Sequence, residues 1–184
     1  MAIFKAKGLV LRVIKLSEKE LLYKIFFREY GILSVKKKKK VREKPIDTGY
    51  LLHGEIITQF GRDIHTIGNI KILCFFDTKN RVYSDIERFL KILSLVHTEL
   101  PAGIPHIQIY DILSYLIENT TKLSGYKLLL TQLKISQSLG NLPEKNPDET
   151  TQKILKFIHN HSYQDIMRLG KIPKNVLKNL EEIL

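Results

Sequence analysis

The sequence predicts an α+β protein in which a five-stranded β-barrel is followed by an all-α helical domain. Over the first 76 residues, apolar and polar side chains alternate with the period of a β-strand, and turn residues interrupt the pattern. Past residue 80, apolar side chains recur at the spacing of an amphipathic helix. The change of period places a domain boundary between residues 1–79 and residues 80–184.

Five strands account for the first half of the chain. In the second of them, Tyr23 and Phe27 lie on the face that is expected to fill the barrel. Gly31 follows in a short turn, where a glycine supplies a positive φ without strain. In the first strand, alternation places Leu9, Leu11 and Val13 on one face and Val10, Ile14 and Leu16 on the other. The strands are predicted over residues 3–15, 21–28, 32–38, 50–60 and 64–76.

The number of strands and the positions of the glycines favour a small closed barrel. Glycine inside a strand often marks a bend at a barrel corner, and Gly8, Gly54 and Gly68 lie inside predicted strands. A five-stranded Greek-key barrel of the OB type fits this pattern. An SH3-like barrel is the second choice on pattern alone.

Six helices are predicted in the second half. Ser84 and Glu87 have the spacing of a capping box at the start of the first helix. Gly140 is expected to end the third helix, because Pro143 prevents its continuation. The predicted helices cover residues 83–99, 106–120, 125–139, 150–160, 162–169 and 174–184.

Positive charge is concentrated in the first half of the chain. The formal net charge is +11 at pH 7, and residues 1–80 hold 17 Lys and Arg against eight Asp and Glu. Five consecutive lysines, Lys36–Lys40, end the third predicted strand. A charge of this size on one domain indicates a polyanionic partner, most simply a nucleic acid. The competing interpretation is a solvated charge run with no partner.

Other basic residues occur where an OB barrel meets its ligand, on strands 2 and 3 and in the loops after strands 1 and 4. Arg28 is expected beside the lysine hairpin, and Tyr30 in the following turn is the best candidate for stacking on an unpaired base. The predicted nucleic-acid-binding residues are Arg12, Lys15, Lys19, Arg28, Tyr30, Lys36, Lys37, Lys38, Lys39, Lys40, Arg42, Lys44 and Arg62.

Several classes of protein are disfavoured by the sequence. The single cysteine, Cys74, excludes a disulfide framework and a cysteine-rich zinc site. Catalytic motifs and phosphate-cradling loops are not found, so we expect no enzymatic activity and no cofactor. No apolar stretch approaches the roughly 20 residues that span a membrane, and the N-terminus does not resemble a signal peptide. The expected location is the cytoplasm, in association with the nucleoid.

In its order of elements the chain resembles the bacterial RecO family of recombination mediators. The segments that carry the resemblance are Gly8–Leu11 with Ser17–Leu22, Phe27–Val35, His53–Phe60 with Gly61–Asp63 and Thr66–Ile72, and Leu129–Leu139 with Gly140–Pro143. Phe27–Val35 is similar to a family hairpin with a glycine turn and a basic stretch. The segment that ends at Pro143 is similar to a family helix ending in Leu-Gly-x-x-Pro.

This resemblance implies a non-catalytic DNA-binding protein of DNA repair and homologous recombination. Such proteins bind single- and double-stranded DNA, anneal complementary strands, and act with RecR to load RecA. They also engage the acidic C-terminal tail of single-stranded-DNA-binding protein. A tail of that kind needs a cation beside an apolar groove, and the expected residues are Lys122, Lys127 and Lys134 on or near the third helix.

The chain departs from the family in two places. Lysines occupy the basic stretch in which family members usually have a glycine. Many members also carry a four-cysteine zinc module after the Leu-Gly-x-x-Pro element, whereas this chain continues directly into Asn146–Glu149. The chain therefore corresponds to a short form without that module.

Two alternatives to a recombination mediator remain open on the sequence. One is an RNA-binding or ribosome-associated OB-fold protein, which DNA annealing activity would separate from a mediator. The other is a protein-interaction adaptor with a solvated lysine run, for which nucleic-acid binding would be negligible.

Overall fold

The computed structural model describes residues 2–39, 44–58, 61–79, 81–142 and 147–184. It shows an α+β chain with a five-stranded sheet followed by helices. The strands are β1 (Ala2–Lys15), β2 (Glu20–Phe27), β3 (Gly31–Lys38), β4 (Tyr50–Thr58) and β5 (Ile64–Phe75). The helices are α1 (Tyr83–Glu99), α2 (Ile107–Glu118), α3 (Gly125–Ser138), α4 (Glu149–Asn160), α5 (Tyr163–Met167) and α6 (Lys174–Glu181), with a 3₁₀ turn at Thr120–Lys122.

The chain divides into two compact units that are not consecutive in sequence. Unit 1 comprises Met1–Thr78 and Val96–Thr120, and unit 2 comprises Lys79–Leu95 and Thr121–Leu184. The predicted boundary after residue 79 lies beside the end of the first segment of unit 1. The last turn of α1 and the whole of α2, however, group with the strands.

The five strands of unit 1 form a closed barrel in the order β1-β2-β3-β5-β4. Strand β1 pairs antiparallel with both β2 and β4, and β5 pairs antiparallel with β4. The ring closes through β3 and β5, which run parallel and pair over Ser34–Lys36 and Ile64–Thr66. Each strand thus has a neighbour on both sides, which removes long exposed sheet edges.

The barrel interior is filled by apolar side chains of β2 as the alternating pattern predicts. Tyr23, Ile25 and Phe27 are all buried in one core cluster. Phe26 points to the opposite side, where its ring meets Tyr110 of α2 edge-on at 5.5 Å between centroids. The prediction that Tyr23 and Phe27 fill the barrel is therefore confirmed.

A bulge in β1 overturns the predicted faces of that strand. The register with β2 shifts between Val10 and Arg12, so that one residue of β1 has no counterpart in β2. Because side chains alternate with period two, one extra residue reverses the faces that follow. Val10 and Val13 consequently both pack in the barrel interior, although they were predicted on opposite faces.

The turn between β2 and β3 depends on Gly31, as predicted. Gly31 has a φ of 68°, in the left-handed region that only glycine adopts readily. The next residue is held by the loop after α1: the Gly103 N–H donates to the Ile32 carbonyl at 3.0 Å. This contact fixes one end of the β2–β3 hairpin.

Unit 2 is held together by α3 packing against α4, α5 and α6. Gly140 ends α3 as predicted: its φ is 76°, its N–H donates to the Gln137 carbonyl, and the Asn141 N–H donates to the Ser136 carbonyl. These are the two hydrogen bonds of a Schellman motif. The predicted cap at the start of α1 is wrong, because the helix begins at Tyr83 and Ser84 lies inside its first turn.

In the described part of the chain, none of the helices combines the length and the apolar character that crossing a membrane requires.

Candidate nucleic-acid interface

The lysine run lies at the end of the β2–β3 hairpin remote from its turn. Lys36, Lys37 and Lys38 are the last residues of β3. In the strand register, Lys38 lies opposite Glu20 at the start of β2. The Lys39 N–H then donates to the Lys19 carbonyl at 2.8 Å. The run is therefore fastened to the loop between β1 and β2.

This arrangement brings together most of the predicted cations that the structure describes. Lys15 is opposite Leu21 in the β1–β2 register, next to the same loop. Lys44 lines a cleft together with Lys37, Lys38 and Lys39. We call this set the lysine edge; it consists of Lys15, Lys19, Lys36, Lys37, Lys38, Lys39 and Lys44. Lys40 and Arg42, which were also predicted to bind nucleic acid, lie outside the described residues.

Three lysines of the lysine edge have no ion pair with a described carboxylate. Lys36, Lys38 and Lys39 are exposed. Within the described ranges, none of these three forms an ion pair with a carboxylate. Lys37 is half-buried, because its position in β3 shares the inward face of Val35. Glu20 is the cross-strand neighbour of Lys38 and also lines the larger cleft, so the cations of the edge outnumber the carboxylate beside them. Such an excess of positive charge attracts phosphates.

Two clefts lie against the lysine edge. The smaller, of about 240 Å³, is lined by Leu21, Tyr23, Lys37, Lys38, Lys39, Lys44, Pro45 and Ile46. The larger, of about 520 Å³, opens where β3 and β5 separate beyond Lys36 and Thr66. Both clefts combine cations with apolar or backbone surface, which suits a ligand with phosphates and flat bases.

The bulge in β1 directs Arg12 outward, towards the same face as the end of β3. Arg12 is exposed and directly opposite Lys24, which in turn is opposite Ser34. Lys24 was missed as a candidate site residue. It alternates with the interior residues Tyr23 and Ile25, so the two-residue period already indicated that it faces outward.

Arg62 remains a separate exposed cation. It lies in the turn between β4 and β5, two residues before the segment of β5 that pairs with β3. The structure thus places it beside the closing seam of the barrel.

The structure corrects the predicted place of Arg28. Arg28 follows β2 at the turn of the hairpin, whereas the lysines lie at its other end, about 23 Å away for seven strand residues. Its guanidinium donates two hydrogen bonds to Asp111 of α2, at 2.8 and 3.0 Å. The hydrogen bond and charge of Asp111 raise the pKa of Arg28. Arg28 is therefore neutralised by a carboxylate and does not belong to the lysine edge.

Tyr30 is likewise placed with Arg28 and not with the lysines. Its ring stacks on Phe4 with 4.1 Å between centroids, and the residue is 37% exposed. One face of the ring is thus already covered. The prediction of a stacking surface beside the lysine run is corrected by this position.

A third cleft, of about 530 Å³, surrounds Arg28 and Tyr30 and has a balanced charge. Lys7 is paired there with Glu118, and Arg28 with Asp111. Paired cations of this kind offer little to a polyanion, because each phosphate would have to displace a carboxylate. Lys7 and Arg28 beside α2 are therefore paired with carboxylates, whereas Lys36, Lys38 and Lys39 form no ion pair within the described residues.

The predicted protein-partner residues of unit 2 do not form one surface. Lys134 is 6% exposed, and its Nζ donates to the carbonyls of Ile158, His159 and His161 at 2.7, 3.3 and 3.2 Å. It closes the C-terminal end of α4 and cannot serve as a cation at the rim of a groove, which corrects the prediction. Lys127 is half-buried on α3, and the side chain of Lys122 lies outside the described part.

Comparisons with known proteins add no identification. No protein-family model matches the chain, and no curated protein matches its sequence significantly. In the described part of the chain, no three His, Cys, Asp or Glu side chains come together as a metal site would require. The assignment of a function therefore rests on the residues and on their geometry.

Proposed function

We propose that unit 1 contains an OB-type barrel that binds nucleic acid. The strand order β1-β2-β3-β5-β4, with β1 shared between β2 and β4, supports the OB type. Barrels of this type bind oligonucleotides on the face of strands 2 and 3 and through the loops after strands 1 and 4. The lysine edge includes Lys19 in the first of those loops and the adjoining ends of β1 and β3.

The proposed function of the whole chain is that of a non-catalytic DNA-binding protein of repair and recombination, of the RecO type. Such a protein binds single- and double-stranded DNA and anneals complementary strands. The observation that carries the DNA-binding part is that Lys36, Lys38 and Lys39 form no ion pair within the described residues, in a unit whose Lys7 and Arg28 are paired with carboxylates. The role in repair rests on the resemblance of the sequence.

The chemistry of annealing follows from charge. Two complementary strands repel each other through their phosphates, and cations that neutralise phosphates lower that repulsion. Lysine is a mobile point charge that does not discriminate between bases. A surface of this kind holds either strand through its backbone and leaves the bases free to pair.

The protein partners belong to the same proposal. A mediator acts with RecR, binds the acidic tail of single-stranded-DNA-binding protein, and loads RecA on the covered strand. With Lys134 buried, Lys127 is the remaining candidate of the three whose side chain the structure describes.

The first test measures DNA binding across a salt series. We expect the variant Lys36→Ala, Lys38→Ala, Lys39→Ala to bind fluorescent single-stranded DNA more weakly than the unchanged protein. Each lost phosphate contact lowers the slope of log K against log salt by about 0.7, so the slope should fall by about 2. Fluorescence anisotropy at salt concentrations between about 50 and 200 mM measures the binding constant and its dependence on salt.

A matched control removes the same charge elsewhere. Lys156, Lys171 and Lys174 are exposed lysines of unit 2. Their triple alanine variant should keep the slope of the unchanged protein. If all three proteins showed the same slope of log K against log salt, the lysine edge would not contact DNA. That result would favour the protein-interaction adaptor.

The second test separates DNA mediators from RNA-binding proteins. We expect the protein to accelerate the pairing of two complementary DNA strands, and the lysine-edge variant to lose most of that acceleration. The rate is followed with strands that carry a fluorophore and a quencher. Tight binding to RNA with no effect on DNA pairing would support the ribosome-associated alternative instead.

A further inference from the structure

The smaller cleft beside the lysine edge lies at one end of the barrel interior. Leu21 of β2 is directly opposite Lys37 of β3, and the next pair on the inward face of the hairpin is Tyr23 with Val35. Tyr23 and Val35 belong to the barrel core, whereas Leu21 and Lys37 are half-buried and line the cleft. The cleft therefore begins where the apolar filling of the barrel ends.

Much of the surface inside this cleft is apolar. Tyr23 and Ile46, which are 3% and 7% exposed, belong to the core and line the cleft from the barrel side. Leu21 is half-buried and Pro45 is exposed, so both present apolar surface to a ligand. Burial of such surface is favourable against another apolar group, and a phosphate offers none. The cleft therefore suits a ligand that has an apolar part.

The charge around the cleft has one sign. Among the described residues that line it, Lys37, Lys38, Lys39 and Lys44 are cations and none is a carboxylate. The larger cleft beside the lysine edge includes Glu20, and the third cleft has a balanced charge. A nucleotide unit combines the two properties that the smaller cleft requires, because its base has a flat apolar face and its phosphates are anionic.

The volume of the cleft sets the size of the group that enters. It measures about 240 Å³, below the roughly 300 to 1,000 Å³ of pockets that enclose drug-sized molecules. This space suits one flat base and not a base pair. The phosphates on either side of that base would remain at the rim, where Lys38, Lys39 and Lys44 are exposed.

We propose that the cleft lined by Leu21, Pro45 and Ile46 takes up one unpaired base of a nucleic-acid strand, with the neighbouring phosphates on the surrounding lysines. The inference deepens the proposed DNA-binding function and rests on it. It adds a contact with a base to a lysine edge that contacts the backbone. The bases on either side stay outside the cleft and remain free to pair.

A contact of this kind favours single strands over duplexes. A paired base has to leave its partner and its stack before it can enter a pocket, which costs free energy. Because every base has a flat face, the contact tolerates any sequence. The lysines alone would favour the duplex, whose phosphates are more densely spaced. The preference for single strands is therefore assigned to the cleft.

The test compares two strands that carry the same number of phosphates. One is a short oligothymidylate, and the other is a strand of equal length in which every base is absent. We expect the abasic strand to bind at least about fivefold more weakly, because stacking of one base contributes at least that factor. Fluorescence anisotropy with end-labelled strands measures both affinities at one salt concentration.

Nuclear magnetic resonance observes the contact directly. We expect intermolecular nuclear Overhauser effects between base protons of the oligothymidylate and the methyl groups of Leu21 and Ile46, because both residues line the cleft. Effects from sugar protons alone would place the strand across the cleft and not in it, which would contradict the inference.

Two variants remove apolar surface and keep every lysine. Leu21→Gln and Pro45→Ala should each weaken binding of the oligothymidylate and leave binding of the abasic strand unchanged. Pro45 is exposed in the loop before β4, so Pro45→Ala tests the cleft even if Leu21→Gln destabilises the barrel. Leu73→Gln changes an exposed leucine of β5 that lines none of the three clefts, and it should keep the ratio of the two affinities.

Each outcome decides the matter. If both strands bind the protein equally tightly, the base site is refuted while DNA binding stands. If the oligothymidylate binds more tightly but both cleft variants keep the ratio of the unchanged protein, the base lies elsewhere and the inference is wrong. If neither strand binds, the proposed function fails and the base site fails with it.

Discussion

Replacing Gly31 with alanine should destabilise unit 1 by about 4 kcal/mol, more than any other single change considered for this chain. Two effects add. The φ of 68° costs an alanine about 1 to 2 kcal/mol. An added Cβ would also lie 2.6 Å from Ile104 N and C and nearer still to its carbonyl oxygen. These are backbone atoms, so relief requires the loop after α1 to move.

The chain offers a control that isolates the second effect. Gly61 has a φ of 72°, but an added Cβ there meets nothing within 4 Å. Gly61→Ala should therefore cost only about 1 kcal/mol, the conformational part alone. Urea denaturation followed by circular dichroism gives both values, and hydrogen exchange of β2 and β3 locates the loss in unit 1. Similar costs for the two variants would contradict the steric argument.

The second large effect concerns the lysine inside unit 2. Lys134→Ala should lower the free energy of unfolding by about 3 kcal/mol, because three carbonyls at the end of α4 lose a charged donor. Lys134 is 6% exposed, and this burial lowers the pKa of its ammonium group. Removing one partner from a buried charged arrangement costs more than its net contribution.

The matched control lies on the helix that Lys134 closes. Lys153 of α4 is exposed and paired with Glu149 one turn earlier. Lys153→Ala removes an equal charge and should cost less than about 0.5 kcal/mol. Thermal unfolding and urea denaturation measure both variants. A Lys134→Ala protein as stable as the Lys153→Ala protein would show that the three carbonyls need no cap.

This prediction also governs how partner-binding experiments are interpreted. A loss of peptide binding in Lys134→Ala would reflect a damaged α3–α4 packing and not a lost contact. Lys127→Ala, on the same helix and half-buried, is the variant in which a lost contact is separable from lost stability.

Much of the fold followed from local patterns. The five strands and six helices were predicted close to their observed bounds, because period and turn residues are properties of short segments. The bulge in β1 escaped prediction, since no residue type marks Leu11 as the extra one. The grouping of α2 with the strands was also not predicted, because it depends on packing between segments that are far apart in sequence.

The candidate site was predictable in part for the same reasons. The lysine run is apparent in the amino-acid sequence, and its place at the end of β3 follows from the strand pattern. The neutralisation of Arg28 requires Asp111, which is 83 positions away. The burial of Lys134 contradicts the usual exposure of lysine. Pairing and burial of charges are tertiary facts, and only the structure shows which cations remain uncompensated.

The closing seam of the barrel has a consequence for its motion. In the described part of the chain β3 meets β5 only over Ser34–Lys36, whereas β1 pairs with β4 from Ala2 to Leu9. Segments with few backbone hydrogen bonds open locally at lower free energy than the rest of a domain. We therefore expect the seam between β3 and β5 to open at lower free energy than the pairing of β1 with β4. Such opening would widen the larger cleft beside Lys36 and Thr66 while β3 stays paired with β2.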